Sequence, residues 1–141
     1  MRHVLQRLAR GLFQRLFRVE LRGWEHYPHD EQRLLIVANH TSYLDGALLA
    51  AFLPDVPIFV INTHVARHWW VKPFIAITRH ISIDPTNPHY LKTLIQHLKA
   101  GERVAVFPEG RISVTGALMK VYEGPALAAD KADAALLPVY I

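Results

Sequence analysis

The chain has 141 residues, 51% of them hydrophobic and 20% charged, and it contains no cysteine. This length and composition suit one domain with its own core and exclude a disordered or collagen-like chain; the missing thiols exclude disulfides, a cysteine nucleophile and Cys-ligated zinc or iron–sulfur centres. The formal charge of +4 is unevenly placed: residues 1–22 hold six arginines against Glu20 alone, a net +5, and the other 119 residues hold 10 basic and 11 acidic side chains, a net −1. A near-neutral body argues against a nucleic-acid groove spread over the fold.

Residues 3–17 place Val4, Leu5, Leu8, Leu12, Phe13, Leu16 and Phe17 at i, i+3, i+4 spacing, which predicts an amphipathic helix. Arg7, Arg10, Gln14 and Arg18 gather on another face. One reading is a terminal helix packed on the core with its basic side in water. The other, preferred, lays the helix in a membrane interface with Arg2, Arg7, Arg10, Arg15 and Arg18 toward anionic headgroups. Each basic residue there contributes on the order of 1 kcal/mol. The longest uninterrupted apolar run, Ala47 to Leu53, has seven residues, where a bilayer span needs about 20. Arginines recur too often through the N-terminus for a signal peptide. The chain therefore divides into a basic interfacial helix, 1–17, and one domain, 18–141.

Within 18–141, short Ile/Val/Leu-rich runs bounded by Pro, Gly, Asn or Asp predict strands at Arg18–Gly23, Arg33–Ala38, Pro57–Ile61, Ala76–Asp84, Arg103–Phe107 and Ala135–Ile141. Helices are expected at Asp45–Leu53, His64–Val71, Pro88–Ala100 and Pro125–Ala132, with Pro88 and Pro125 in first turns and Gly101 at an exit. Such alternation predicts an α/β fold, a mostly parallel central sheet flanked by helices. Ligands of such sheets bind at the carboxyl ends of the strands.

Two turns at such ends carry candidate chemistry. After Arg33–Ala38 comes Asn39-His40-Thr41-Ser42-Tyr43-Leu44-Asp45-Gly46. His40 and Asp45 across a strand-to-helix turn can act as a base and the carboxylate that orients it. The alternative is a capping box, Ser42-x-x-Asp45, in which Asp45 only satisfies helix amides. After Arg103–Phe107 comes Pro108-Glu109-Gly110-Arg111-Ile112-Ser113. A guanidinium beside a glycine is a good phosphate anchor, although Pro-Glu-Gly-Arg alone is also an ordinary turn.

Together, Asn39-His40-x-x-x-x-Asp45, Phe107-Pro108-Glu109-Gly110-Arg111 and the late Leu137-Pro138-Val139 resemble the ordered motifs of the glycerolipid (lysophosphatidate acyltransferase-like) acyltransferase family, from about Arg18 to the last residue. Within it, SIDPTNP at Ser82–Pro88 and FPEGRISVTGALMKVYEG at Phe107–Gly124 are most similar to the acyltransferase domain of bifunctional 2-acylglycerophosphoethanolamine acyltransferase/acyl-acyl carrier protein synthetases. The resemblance implies a glycerol-3-phosphate acyltransferase-like fold and transfer of a fatty acyl group from acyl-CoA or an acyl carrier protein to the free hydroxyl of a lysophospholipid. His40 would be the general base and Asp45 its orienting partner. Glu109, Gly110, Arg111, Asn39 and Pro138 would hold the acceptor, without cofactor or metal. Peripheral attachment to the cytoplasmic face of the inner membrane is expected, with no nucleic-acid partner. Pro85 replaces the arginine common near Asp84 in phosphatidate-forming members, and Arg111 follows Gly110 directly. Both departures favour an acceptor headgroup larger than bare phosphate.

Family domains continue beyond the Leu137-Pro138-Val139 strand, so the domain reads as C-terminally incomplete, its last strand an edge lacking cover. A lipid-binding module without turnover is the alternative. His64 and His68 have zinc-like i, i+4 spacing but no HExxH and no third ligand. Trp69, Trp70 and Phe74 read first as core packing and second as an interfacial aromatic patch or acyl-chain wall.

Overall fold

Leu34–Ala38 is a run of apolar side chains with almost no exposed surface. A strand apolar on both faces belongs inside a parallel sheet covered on both sides, and there it lies. In the computed structural model, which describes residues 2–84, 87 and 89–141, five strands form one sheet. They are β1 (Leu34–Ala38), β2 (Ile58–Asn62), β3 (Arg79–Ile83), β4 (Arg103–Val106) and β5 (Ala135–Val139), ordered β3-β2-β4-β1-β5 with every pair parallel.

Helices α5 (His89–Lys99) and α6 (Gly124–Ala132) cover one face, where Leu94, Leu98, Ala128 and Ala132 meet Leu35, Val104 and Val106. Helices α2 (Asp45–Phe52) and α4 (Lys72–Ile77) cover the other, where Leu49, Leu53 and Phe74 meet Ile36, Phe59 and Ala105. Alternate residues of β1 thus serve two cores. The exit of α5 is the one expected: Gly101, at φ +80°, lets the Glu102 N–H return to the His97 carbonyl.

Three expected elements differ. Arg18–Gly23 alternates Val19 and Leu21 like a strand, yet it pairs with nothing in the sheet and is mostly exposed. Arg18 turns the chain out of the preceding helix at φ +49°. The helix expected at His64–Val71 is only α3 (Thr63–Ala66), followed by turns. The strand expected from Ala76 starts at Arg79, because α4 runs on to Ile77. Pro73 sits in its first turn, and the Thr78 hydroxyl donates to the Phe74 carbonyl at its exit. The Pro88 helix start lies outside the described residues. β5 lies at one end of the described strand order.

Helix α1 (Arg2–Phe17) docks on α2 by an unexpected side. The Gln6 side-chain amide donates to the Ala50 and Leu53 carbonyls at 3.1 and 2.8 Å, satisfying acceptors left free at the end of α2. The Arg10 guanidinium lies over the Phe52 ring, 5.5 Å from its centroid. Arg10 therefore contacts the domain while remaining exposed. Val4, Leu8, Leu12 and Leu16 remain exposed, as do Arg7 and Arg15. The outer side of this helix thus exposes leucines together with flanking cations. Among the described residues no helix is long and apolar enough to cross a membrane.

Candidate active site

β1 ends at Ala38, and the following turn carries His40 to the carboxyl edge of the sheet, where Asp45 opens α2. Asp45 is 1% exposed. Its Oδ2 accepts from His40 Nδ1 at 2.9 Å, from the Thr41 N–H at 2.6 Å and from the Ser42 N–H at 2.9 Å; its Oδ1 accepts the Ser42 hydroxyl at 3.0 Å. Burial alone would raise the carboxyl's pKa. The hydrogen bonds from His40, Ser42 and Thr41 outweigh it and hold the group below its ordinary value, so Asp45 stays ionised. A carboxylate can only accept, so in the neutral imidazole the proton sits on Nδ1 and Nε2 keeps a lone pair.

The capping alternative for Asp45 is only partly realised. The carboxylate satisfies amides of the turn before α2 rather than those within the helix, and it holds the imidazole as well. Ser42 Oγ accepts from the Leu44 N–H at 3.0 Å, closing the turn locally. The stretch from His40 to Asp45 is thus organised around one buried charge.

The loop after β4 completes the site. Phe107 stacks on the His40 ring, with centroids 4.1 Å apart and planes 16° from parallel. Glu109 is buried, and both its oxygens are used: Oε1 accepts the His40 N–H at 2.8 Å and Oε2 the Met119 N–H at 2.9 Å. The Ser113 N–H donates to the His40 carbonyl at 2.7 Å. His40 is therefore gripped through its backbone on both sides and through its ring on two. Gly110 makes the turn at φ +68°, and Tyr122 lies close enough that a Cβ there would touch its ring at 3.3 Å. Arg111, next in the chain, is exposed.

Not every residue expected at the site faces it. The Asn39 side chain pairs with the Ile141 backbone, donating at 2.9 Å and accepting at 2.7 Å, so it extends the β1–β5 ladder beyond its Ala38–Val139 pair. Pro138 is exposed on β5, in register with Val37, on the sheet face opposite α2. Its missing N–H suits an edge strand. Glu109 braces backbone, and a role in gripping the acceptor would need oxygens already committed. Sequence reasoning missed Phe107 as the ring's stacking partner and Ser113 as a backbone clamp; only the proximity of the two motifs hinted at either. Pro85 lies outside the described residues. Among the described residues no three His, Asp or Glu side chains are placed to hold a metal ion. Of the aromatic trio, Phe74 is in the core against Phe59, whereas Trp69 is 80% exposed.

Comparison with known proteins agrees with this geometry. The chain is 28% identical over 130 residues to a chloroplastic 1-acyl-sn-glycerol-3-phosphate acyltransferase of Arabidopsis thaliana, covering 87% of this chain and 35% of that protein. It is 26% identical to a second such chloroplastic enzyme, of Brassica napus, covering 87% and 37%. The chain thus spans about a third of the length of these curated relatives. The crystal structure of the 1-acyl-sn-glycerophosphate acyltransferase PlsC from Thermotoga maritima superposes with a TM-score of 0.72 and 25% identity, covering 97% of this chain and 57% of that one. With residues 18–141 matching the family named Acyltransferase, the chain belongs to that family.

Proposed function

We propose that this chain catalyses glycerolipid acyl transfer, moving a fatty acyl group from a thioester donor, acyl-CoA or acyl carrier protein, to the free hydroxyl of a lysophospholipid. The observation that carries this reading is the buried Asp45 carboxylate on His40 Nδ1, which leaves Nε2 as a base at the ligand-binding edge of the sheet. Nε2 takes the hydroxyl proton as the oxygen attacks the thioester carbonyl. Asp45 stabilises the imidazolium that forms. When the tetrahedral intermediate collapses, the C–S bond breaks and the departing sulfur takes the proton back from Nε2, giving ester and free thiol. No acyl-enzyme forms, consistent with the lack of cysteine. Arg111, exposed beside Gly110, is the phosphate anchor for the acceptor.

The exposed leucines of α1, flanked by Arg7 and Arg15, support peripheral attachment to a membrane surface, here the cytoplasmic face of the inner membrane. The likeness of Ser82–Pro88 and Phe107–Gly124 to bifunctional acyltransferases favours an ethanolamine-type lysophospholipid over lysophosphatidate. The test is to incubate the chain with labelled acyl-CoA and acyl carrier protein thioesters against a set of lysophospholipids. His40→Ala should lower diacyl product about 10²–10⁴-fold, the usual worth of a general base. Equal product from both proteins would remove His40 from the mechanism. Vesicle binding without product would favour the lipid-binding module instead.

A further inference from the structure

Beside the His40–Asp45 turn lies a cluster that the chemistry above does not use. Tyr43, within that turn, is 66% exposed, and its ring meets the edge of Trp70 with centroids 4.4 Å apart. Trp69, next in the chain, is 80% exposed, and Leu44 also faces outward. Large apolar rings left in water are costly unless something covers them. The surrounding charge says what. Residues 56–83 contain no aspartate or glutamate, and Arg67 and Lys72, on either side of the two tryptophans, are both exposed. Amphipathic rings flanked by cations match the boundary between acyl chains and anionic headgroups, where Trp and Tyr concentrate and Lys and Arg meet phosphate.

We infer that Tyr43, Leu44, Trp69 and Trp70 form a membrane-contacting rim at the mouth of the candidate active site, separate from α1, with the lipid bilayer as its occupant. The inference deepens the acyltransferase reading and rests on it for one point: a rim at this place lets a bilayer-borne acceptor reach His40 without leaving the lipid phase. The rim itself stands on exposure and charge. It differs from α1 physically, because its free rings bind by insertion and its cations only assist. Its hold on vesicles should therefore survive salt that screens exposed charges beyond a Debye length.

The experiment uses the full chain with Trp24→Phe and Trp70→Phe, so that Trp69 is the sole tryptophan, and vesicles of phosphatidylcholine with phosphatidylglycerol. Trp69 emission should shift to the blue on vesicle addition and be quenched by lipids brominated near the headgroup end of the chains. In the otherwise wild-type chain, Trp69→Ser should lower vesicle partitioning at high salt roughly tenfold, the equivalent of about 1.4 kcal/mol. Emission that stays solvent-like while the protein sediments with vesicles would overturn the inference, since α1 alone would then be binding. A shift with a soluble acidic carrier protein but not with vesicles would overturn it in favour of a protein partner. Insertion of Trp69 in a chain without transfer activity would support the rim and overturn only the catalytic reading.

Discussion

Two histidine–carboxylate pairs, each separated by five positions in the chain, sit at opposite ends of the same sheet. His40 and Asp45 join the carboxyl end of β1 to α2; His97 and Glu102 join the end of α5 to the amino end of β4. In both, Nδ1 faces a carboxylate oxygen. The surroundings differ. Asp45 is buried and takes two backbone amides and a hydroxyl besides the imidazole. Glu102 is 24% exposed and is shared with Arg79, an ion pair in contact with water. The first pair is held in one geometry by several converging donors of its own turn; the second is a partly solvated surface link. Spacing cannot separate them. Burial, and the edge of the sheet on which the pair lies, can.

The largest expected effect separates the histidines themselves. His97→Ala should leave acyl transfer unchanged in the assay where His40→Ala loses about 10²–10⁴-fold. A large loss from His97→Ala would erase the distinction. Next come the carboxylates. Asp45→Ala strands the Thr41 and Ser42 donors and should cost about 3 kcal/mol in chemical denaturation, whereas Glu102→Ala should cost less than about 1 kcal/mol. Equal costs would mean that the buried turn is no better organised than the surface link.

Acid tests the same contrast from another side. Asp45 is held below its ordinary pKa by His40, Ser42 and Thr41 against the opposing effect of burial, and Glu102 by His97 and Arg79. A folded pKa below the unfolded one gives stability that is present above the unfolded value, about 4 for a carboxyl. That stability is lost as pH falls through the lower, folded value. Denaturation midpoints measured from neutral pH to about pH 3 should fall, and Asp45→Asn and Glu102→Gln should each flatten the decline. An unaltered acid limb in Asp45→Asn would remove that carboxylate from the acid response. The smallest expected effect concerns the ring stack, which His97 lacks among the described aromatic contacts. Phe107→Leu should lower kcat roughly fivefold with little change in the acceptor KM, and Phe107→Tyr should restore it. A loss carried in KM would place Phe107 against the substrate instead.

Much of this arrangement was legible in the chain because the signals were local. Ile, Val and Leu runs marked β1, β2 and β4, and the turn after β1 carried its histidine and aspartate in plain order. Elsewhere the local signal misled. Val19 and Leu21 alternate as a strand should, but a strand exists only where an edge accepts it, and residues 18–23 find none. The α4 segment merged with β3 because both are apolar and adjacent, and only the helix-starting Pro73 and the Thr78 exit divide them. Glu109 and Ser113 were opaque for a deeper reason. Their partners are the backbone of His40, and backbone groups leave no trace in the sequence. The tryptophans were misread as interior because hydrophobicity does not say which side of a helix–turn–helix segment meets the core.

The Asn39 amide extends this contrast to chain dynamics. By exchanging two hydrogen bonds with the Ile141 backbone, it ties the segment after β5 to the neighbour of the candidate base. A disturbance of β5 would therefore not stay local: releasing Ile141 frees the residue from which His40 is hung. Amide exchange at Ile141 should then report on the turn's order, with slow exchange marking a base held in place and fast exchange a turn set loose.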